Sequence, residues 1–182
     1  MNVFLLHKPV QDFISENLNS DISKILFKGT EFENTTTQEI VEQIEAKKKC
    51  SSKLPIWFNT SKIYFPNKLN IEQTSSEVTA KYKSELINGK SIIDITGGFG
   101  VDCYYFSKRF DSVIHCELNE DLSKIVKYNY VQLGVSNIET FPTNGIEFVL
   151  NSNQKFDWIY IDPSRRDDVK GKIFLLDDCL PI

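Results

Sequence analysis

The sequence predicts an α/β fold: a parallel sheet flanked by helices, preceded by a small helical region. Three observations carry this. From residue 70 onward, short runs rich in Ile, Val, Phe and Tyr alternate with helical runs, the pattern of strands joined by helical crossovers. Before that point apolar residues recur at helical spacing. The first apolar run of the alternating part leads directly into a glycine-rich turn and a second helical run, the order of elements found where open α/β sheets bind ligands.

Residues 10–18 and 22–27 place their apolar side chains one helical turn apart. A third helix begins near Thr36, because Thr36 and Glu39 have capping-box spacing and Ile40, Val41 and Ile44 follow as a stripe. Lys47, Lys48 and Lys49 read as its end. Such a run either answers the helix dipole or contacts nucleic acid. Residues 51–69 change character. Pro55 and Pro66 punctuate them, and Trp57, Phe58, Ile63, Tyr64 and Phe65 suggest a short hairpin or an extended linker. The boundary is placed here, giving a helical region 1–53 and a sheet domain 54–182. Thr74 and Glu77 offer a second capping box, for a helix to about residue 87 that Asn88-Gly89 stops. Strands are expected at 91–95, 112–116, 137–141 and 158–161, with a further one at 172–176. Helices are expected at 101–109, at 120–133 up to Gly134, and at 145–150.

Bulk properties narrow the function. A chain of 182 residues holds one ordinary domain and a small extra one, and its 41% apolar content is enough for a buried core. No apolar run approaches the ~18 residues of a membrane span, and the N-terminus lacks a basic segment followed by a cleavage site. The cytosol is therefore the expected compartment. Cys50, Cys103, Cys116 and Cys179 are scattered, and His7 and His115 are the only histidines. No metal site is expected, only reduced, buried thiols. With a net charge of −4, an RNA partner would need a local basic patch or a part of the protein outside this chain.

The chemistry centres on Asp94-Ile95-Thr96-Gly97-Gly98-Phe99-Gly100, where a strand ends and a helix begins. Gly98 and Gly100 are expected to form the tight turn and to let a ligand approach the backbone. Asp94 is expected to face the ligand cavity. The second strand ends in Glu117, whose carboxylate can accept from both hydroxyls of a ribose. A nicotinamide dinucleotide site would use G-x-G-x-x-G, and here Cys103 stands at the third position. The acid ahead of the loop instead follows the D-x-[small]-x-G-x-G arrangement of S-adenosylmethionine (SAM) sites. Asn144, after the third strand, either contacts an adenine through its side-chain carbonyl or serves the Asn-Gly turn. The fourth strand runs into Asp162-Pro163-Ser164-Arg165-Arg166. Asp162 can accept a hydrogen bond from a target amine and aim its lone pair, while Pro163 fixes the turn. Arg165 and Arg166 either hold a phosphate or carboxylate or pair with Asp167 and Asp168.

The segments DITGGFGVD (94–102), Glu117 and DPSRR (162–166) resemble those of bacterial class I SAM-dependent methyltransferases with a C-terminal THUMP-like domain. Residues 73–77, 80–83 and 174–181 are similar to the same family. The resemblance covers roughly residues 53–182 and implies a Rossmann-like class I methyltransferase sheet. It also implies SAM as cofactor, held by Asp94, Thr96, Gly98, Gly100 and Glu117, with Asp162, Pro163, Ser164, Arg165 and Arg166 near the acceptor, and RNA as substrate class. The chain is read as stopping before that sheet is complete and before the THUMP-like domain. The isolated chain is accordingly expected to bind SAM weakly and to expose an apolar edge strand. The rival readings are a non-catalytic SAM-binding scaffold, a nicotinamide oxidoreductase, and methylation of a protein or small molecule.

Overall fold

A computed structural model describes residues 1–163 and the short strands Arg166–Asp167 and Gly171–Lys172. The N-terminal third is helical. A 3-10 turn, Val3–Leu6, leads into α1 (Lys8–Glu16), α2 (Ile22–Lys28) and α3 (Thr37–Lys53). The capping box of α3 forms as expected, Thr36 Oγ1 accepting from Glu39 N while the Glu39 carboxylate accepts from Thr36 N. Ile40, Val41 and Ile44 on its first half close a core with Leu5, Val10, Ile14 and Ile25. The helix does not stop at Lys49. It runs on to Lys53, and its second half carries Ala46 and Cys50 into the core beneath the sheet. The lysine run is thus mid-helix. Lys47 donates to Ser15 Oγ at 2.9 Å, and Lys49 pairs with Glu72.

The stretch 51–69, read as a hairpin or linker, instead contains α4 (Pro55–Asn59) and the start of α5 (Lys68–Gln73). Pro55 opens α4 at the position where a missing N–H costs nothing. The expected division at 53–54 falls at Leu54, a buried residue that ends α3 and begins α4. Between α4 and α5 the extended backbone is bracketed by two side-chain amides. Gln43 accepts from Phe65 N and donates to Phe65 O. Asn129 does the same for Tyr64, both bonds at 2.9 Å. Each amide offers one donor and one acceptor, so it satisfies the peptide as a neighbouring strand would.

Helix α6 (Glu77–Glu85) is capped by Ser76, not Thr74: Ser76 Oγ accepts from Thr79 N at 3.1 Å. Glu77 becomes the first helical residue and turns inward. Its carboxylate accepts from Ile56 N at 2.6 Å and from the Tyr105 hydroxyl at 3.2 Å. Burial raises its pKa. The helix ends at Glu85, ahead of the Asn88-Gly89 pair.

Four parallel strands follow: β1 (Ser91–Asp94), β2 (Ser112–Cys116), β3 (Ile138–Phe141) and β4 (Trp158–Tyr160), in the order β3-β2-β1-β4. Helices α7 (Val101–Phe106), α8 (Glu120–Gln132) and α9 (Gly145–Asn151) connect them; α7 stops earlier than expected. Strand β1 is central and buried, so its apolar run serves both faces. Ile92 and Val113 pack with residues of α7 and α8 on one side. Ile93, Ile95, Ile114 and Cys116 meet Phe141, Phe148 and Phe156 on the other. Among the described residues β4 is an edge strand, and Trp158, Ile159 and Ile161 are exposed there. The segments β5 (Arg166–Asp167) and β6 (Gly171–Lys172) pair antiparallel. The rest of the strand expected at 172–176 lies outside the described residues. Among those residues no helix is long and apolar enough to cross a membrane.

Candidate functional site

The chain builds β1, β2 and β3 outward on one side and then returns to place β4 on the other side of β1. The strand order therefore reverses between β1 and β4, the position where α/β sheets open a crevice. The loop 94–100 lies at that point. Asp94 aligns with His115 of β2 and with Tyr160 of β4.

Asp94 does not face a cavity. It is 2% exposed and lies under the loop. Its Oδ1 accepts from Thr96 N at 2.9 Å and Thr96 Oγ1 at 3.1 Å, and its Oδ2 accepts from the Cys103 thiol at 3.4 Å. Burial, reinforced by the negative charge of Asp102, pushes its pKa up to about 7. The loop turns through left-handed backbone at Gly98 (φ +54°) and Gly100 (φ +76°). A Cβ on Gly100 would overlap the Tyr130 hydroxyl, which donates to Gly100 O at 2.9 Å. His115, fully buried under the loop, donates from Nε2 to Gly98 O at 3.2 Å. Burial holds its pKa down to about 4, so the ring is neutral.

Glu117 and Asp162 reach the same loop from opposite sides. Glu117 follows β2, and its Oε2 accepts from Gly98 N at 2.9 Å while Oε1 accepts from Asn119 N at 2.7 Å. Burial raises its pKa against the pull of those two amides. Asp162 follows β4, and its backbone N–H donates to Thr96 Oγ1 at 2.8 Å. Thr96 thus links both strand ends. Asn144 caps α9, its Oδ1 accepting from Ile146 N and Glu147 N. The carbonyl expected to meet an adenine amino group is thus occupied by the N-terminus of the helix. The first residue of α9, Gly145, lies against the backbone of Ile95 and so brings Asn144 beside the loop. Ser164, Arg165 and the side chain of Arg166 lie outside the described residues.

Four residues that the sequence reading had not assigned to the site meet here: Ser75, Lys83, Asp102 and Tyr160. Lys83 Nζ donates to Asp162 Oδ2 at 2.8 Å, to Ser75 Oγ at 3.0 Å and to Asp102 Oδ2 at 3.4 Å, and also to the Tyr160 hydroxyl. Ser75 Oγ donates to Asp102 Oδ2 at 2.9 Å. Asp102 Oδ1 is buried without a partner among the described residues. Burial raises the Asp102 pKa, and Lys83 opposes the shift. One sequence signal was available: Ser75 and Lys83 fall in 73–77 and 80–83, and Asp102 closes DITGGFGVD.

The two buried groups under the loop make stability depend on pH with opposite signs. His115 falls from an ordinary 6.5 to about 4 on folding. Its contribution is complete above 6.5 and is lost as pH falls toward 4. Asp94 rises from an ordinary 3.8 to about 7, so its contribution is complete below 3.8 and is lost as pH rises toward 7. The two windows overlap, so between about pH 4 and 6.5 the opposed terms largely cancel in wild type. Urea unfolding there is expected to show stability falling with pH, relative to wild type, in His115→Asn and rising with pH in Asp94→Asn. Parallel curves for wild type and both variants would contradict the assignment.

No family model matches the chain. A stretch of 121 residues is 26% identical to ribosomal RNA small subunit methyltransferase J of Francisella tularensis subsp. novicida (strain U112), covering 62% of this chain and 49% of that protein. The protein of the same name from subsp. holarctica (strain LVS) is 25% identical over the same shares. A crystal structure of a candidate methyltransferase from Porphyromonas gingivalis W83 matches with a TM-score of 0.71 at 28% identity, over 87% of this chain and 40% of that one. The four-stranded parallel sheet behind N-terminal helices is thus the class I methyltransferase fold, and the sequence is distantly similar to these ribosomal RNA methyltransferases. The chain spans about half the length of the curated relatives it matches.

Proposed function

We propose that this chain is the SAM-binding part of a methyltransferase that acts on an amine of an RNA base. The observation that carries the proposal is the convergence on one loop: Glu117 Oε2 on Gly98 N at 2.9 Å, and Asp162 N on Thr96 Oγ1 at 2.8 Å. A sugar-binding carboxylate and an acceptor-side carboxylate then flank the same strand-end crevice.

The residues suit SAM by charge and by free valence. Glu117 uses one acceptor direction on each oxygen for a backbone N–H. An ionised carboxylate offers about four, so two remain for the ribose hydroxyls. The buried, unpartnered Asp102 Oδ1 suits the ammonium of the methionine half. Among the described residues Asp102 and Asp162 share one cation, Lys83, which leaves these side chains with a surplus negative charge for a cationic ligand. Asn144 still has its amide N–H group to donate to an adenine ring nitrogen, in place of the acceptor role first expected.

SAM, when bound, supplies a methyl group on a positively charged sulfur. In this reading Asp162 accepts a hydrogen bond from the acceptor amine, holds its lone pair toward that methyl carbon, and takes up the amine proton as the new N–C bond forms and the C–S pair returns to sulfur. RNA is the proposed substrate because the curated relatives carry ribosomal RNA methyltransferase in their names. The THUMP-like domain belongs to this proposal and not to the described residues.

Calorimetry with SAM, its demethylated product and NAD tests the cofactor. Both sulfur compounds are expected to bind and NAD is not. Glu117→Ala is expected to weaken SAM roughly 30-fold, since one hydrogen bond to a charged group contributes about 2 kcal/mol. Binding of NAD alone would overturn the reading. SAM binding by a full-length protein that labels no RNA would favour the scaffold reading instead.

A further inference from the structure

The strongest unassigned feature is the ammonium of Lys83. Its helix, α6, precedes the sheet and contributes nothing to the loop 94–100, yet Nζ reaches groups on three other segments: Ser75, Asp102 of α7, and Tyr160 and Asp162 at the end of β4. It also lies 5.2 Å from the Tyr160 ring centroid. The neighbouring Lys81 shows the contrast. It is 66% exposed and only approaches Glu85, at 4.0 Å along the same helix, whereas the Lys83 side chain is 26% exposed. A long flexible cation loses rotamer freedom and hydration in such a position. Here that loss is offset by two carboxylates and two hydroxyls.

The consequence falls on Asp162. Its side chain is half exposed and would otherwise sample several orientations. Lys83 holds Oδ2 at 2.8 Å and the Tyr160 hydroxyl donates to the same oxygen at 3.2 Å. The backbone N–H of Asp162 is tied to Thr96. Among the described residues Oδ1 alone is left without a hydrogen bond. We propose that Lys83 is a positioning residue of the acceptor site: it anchors one oxygen of Asp162, with Tyr160 as second donor, so that the other oxygen meets a neutral, hydrogen-donating amine. This rests on the methyltransferase reading above.

The test uses the full-length protein with SAM and total RNA, after circular dichroism has shown that each variant folds. Lys83→Met is expected to lower kcat about 50-fold, as loss of alignment at a reacting centre does, with the KM for SAM changed less than threefold. Lys83→Arg keeps the charge and is expected to recover at least tenfold of that loss. A kcat within threefold of wild type in Lys83→Met would overturn the positioning role while leaving the methyltransferase reading intact. A rise in KM alone would overturn it too, by assigning Lys83 to cofactor binding. A wild-type protein that binds SAM but transfers no methyl to RNA would overturn both. Should Lys83→Met fail to fold, Lys83→Gln, which keeps two donors without the charge, carries the same criteria.

Discussion

Asp162→Ala is expected to reduce methyl transfer by the full-length protein about 300-fold while SAM affinity changes less than threefold. The split follows from where the two halves of this residue act. The backbone N–H holds Thr96 Oγ1 at 2.8 Å, and alanine keeps that bond, so the loop under the cofactor stays closed. The carboxylate contributes nothing to the loop. In the proposed reaction it aligns the amine and receives its proton, two effects whose combined removal costs on the order of a hundredfold or more. Asp162→Asn keeps one acceptor oxygen but cannot take up a proton under these conditions. It is expected to lie between wild type and alanine. Equal loss of affinity and turnover in Asp162→Ala would place the carboxylate in cofactor binding.

Gly145→Ala is expected to cost about 3 kcal/mol of stability, as overpacking a rigid site does. The melting temperature should fall by on the order of 10 °C. A methyl group is a small change, but here it meets main chain. A Cβ on Gly145 would overlap Cα and the carbonyl oxygen of Ile95, and Ile95 is pinned because its N–H donates to Tyr160 O at 3.1 Å. Neither side can swing away, so α9 must withdraw from the loop and carry Asn144 with it. In the proposed function, SAM binding is therefore expected to weaken together with stability, through the loss of Asn144 from beside the loop. Thermal denaturation and SAM titration of the same variant measure both. A melting temperature within 2 °C of wild type would show that the contact relaxes easily.

Sequence order revealed the sheet because each strand and its following helix carry their own signals. Strand β2 matches its expected span, and Gly98 and Gly100 occupy left-handed backbone where the turn required it. Two identical capping signatures fared differently. Thr36 and Glu39 close their box, whereas Glu77 leaves Thr74 for Ile56 N and the Tyr105 hydroxyl. A local spacing rule cannot foresee a better partner 21 or 28 positions away. Helix α4 was hidden because its aromatic residues favour strands on average, while Pro55 at its start favours helix; α5, six residues behind the Asn67 cap, is too short to show a periodic stripe. In the site, Asp94, Thr96, Gly98 and Gly100 are one contiguous motif. The pairing of Lys83 with Asp162 spans 79 positions and exists only once β4 has been laid beside β1.

Helix α3 belongs to two of the three hydrophobic clusters among the described residues, with Ile40 and Ile44 in one and Ala46 and Cys50 in another. One helix thus joins the amino-terminal core to the core that holds Trp57 and, with its ring 6.2 Å away, Phe99 of the glycine loop.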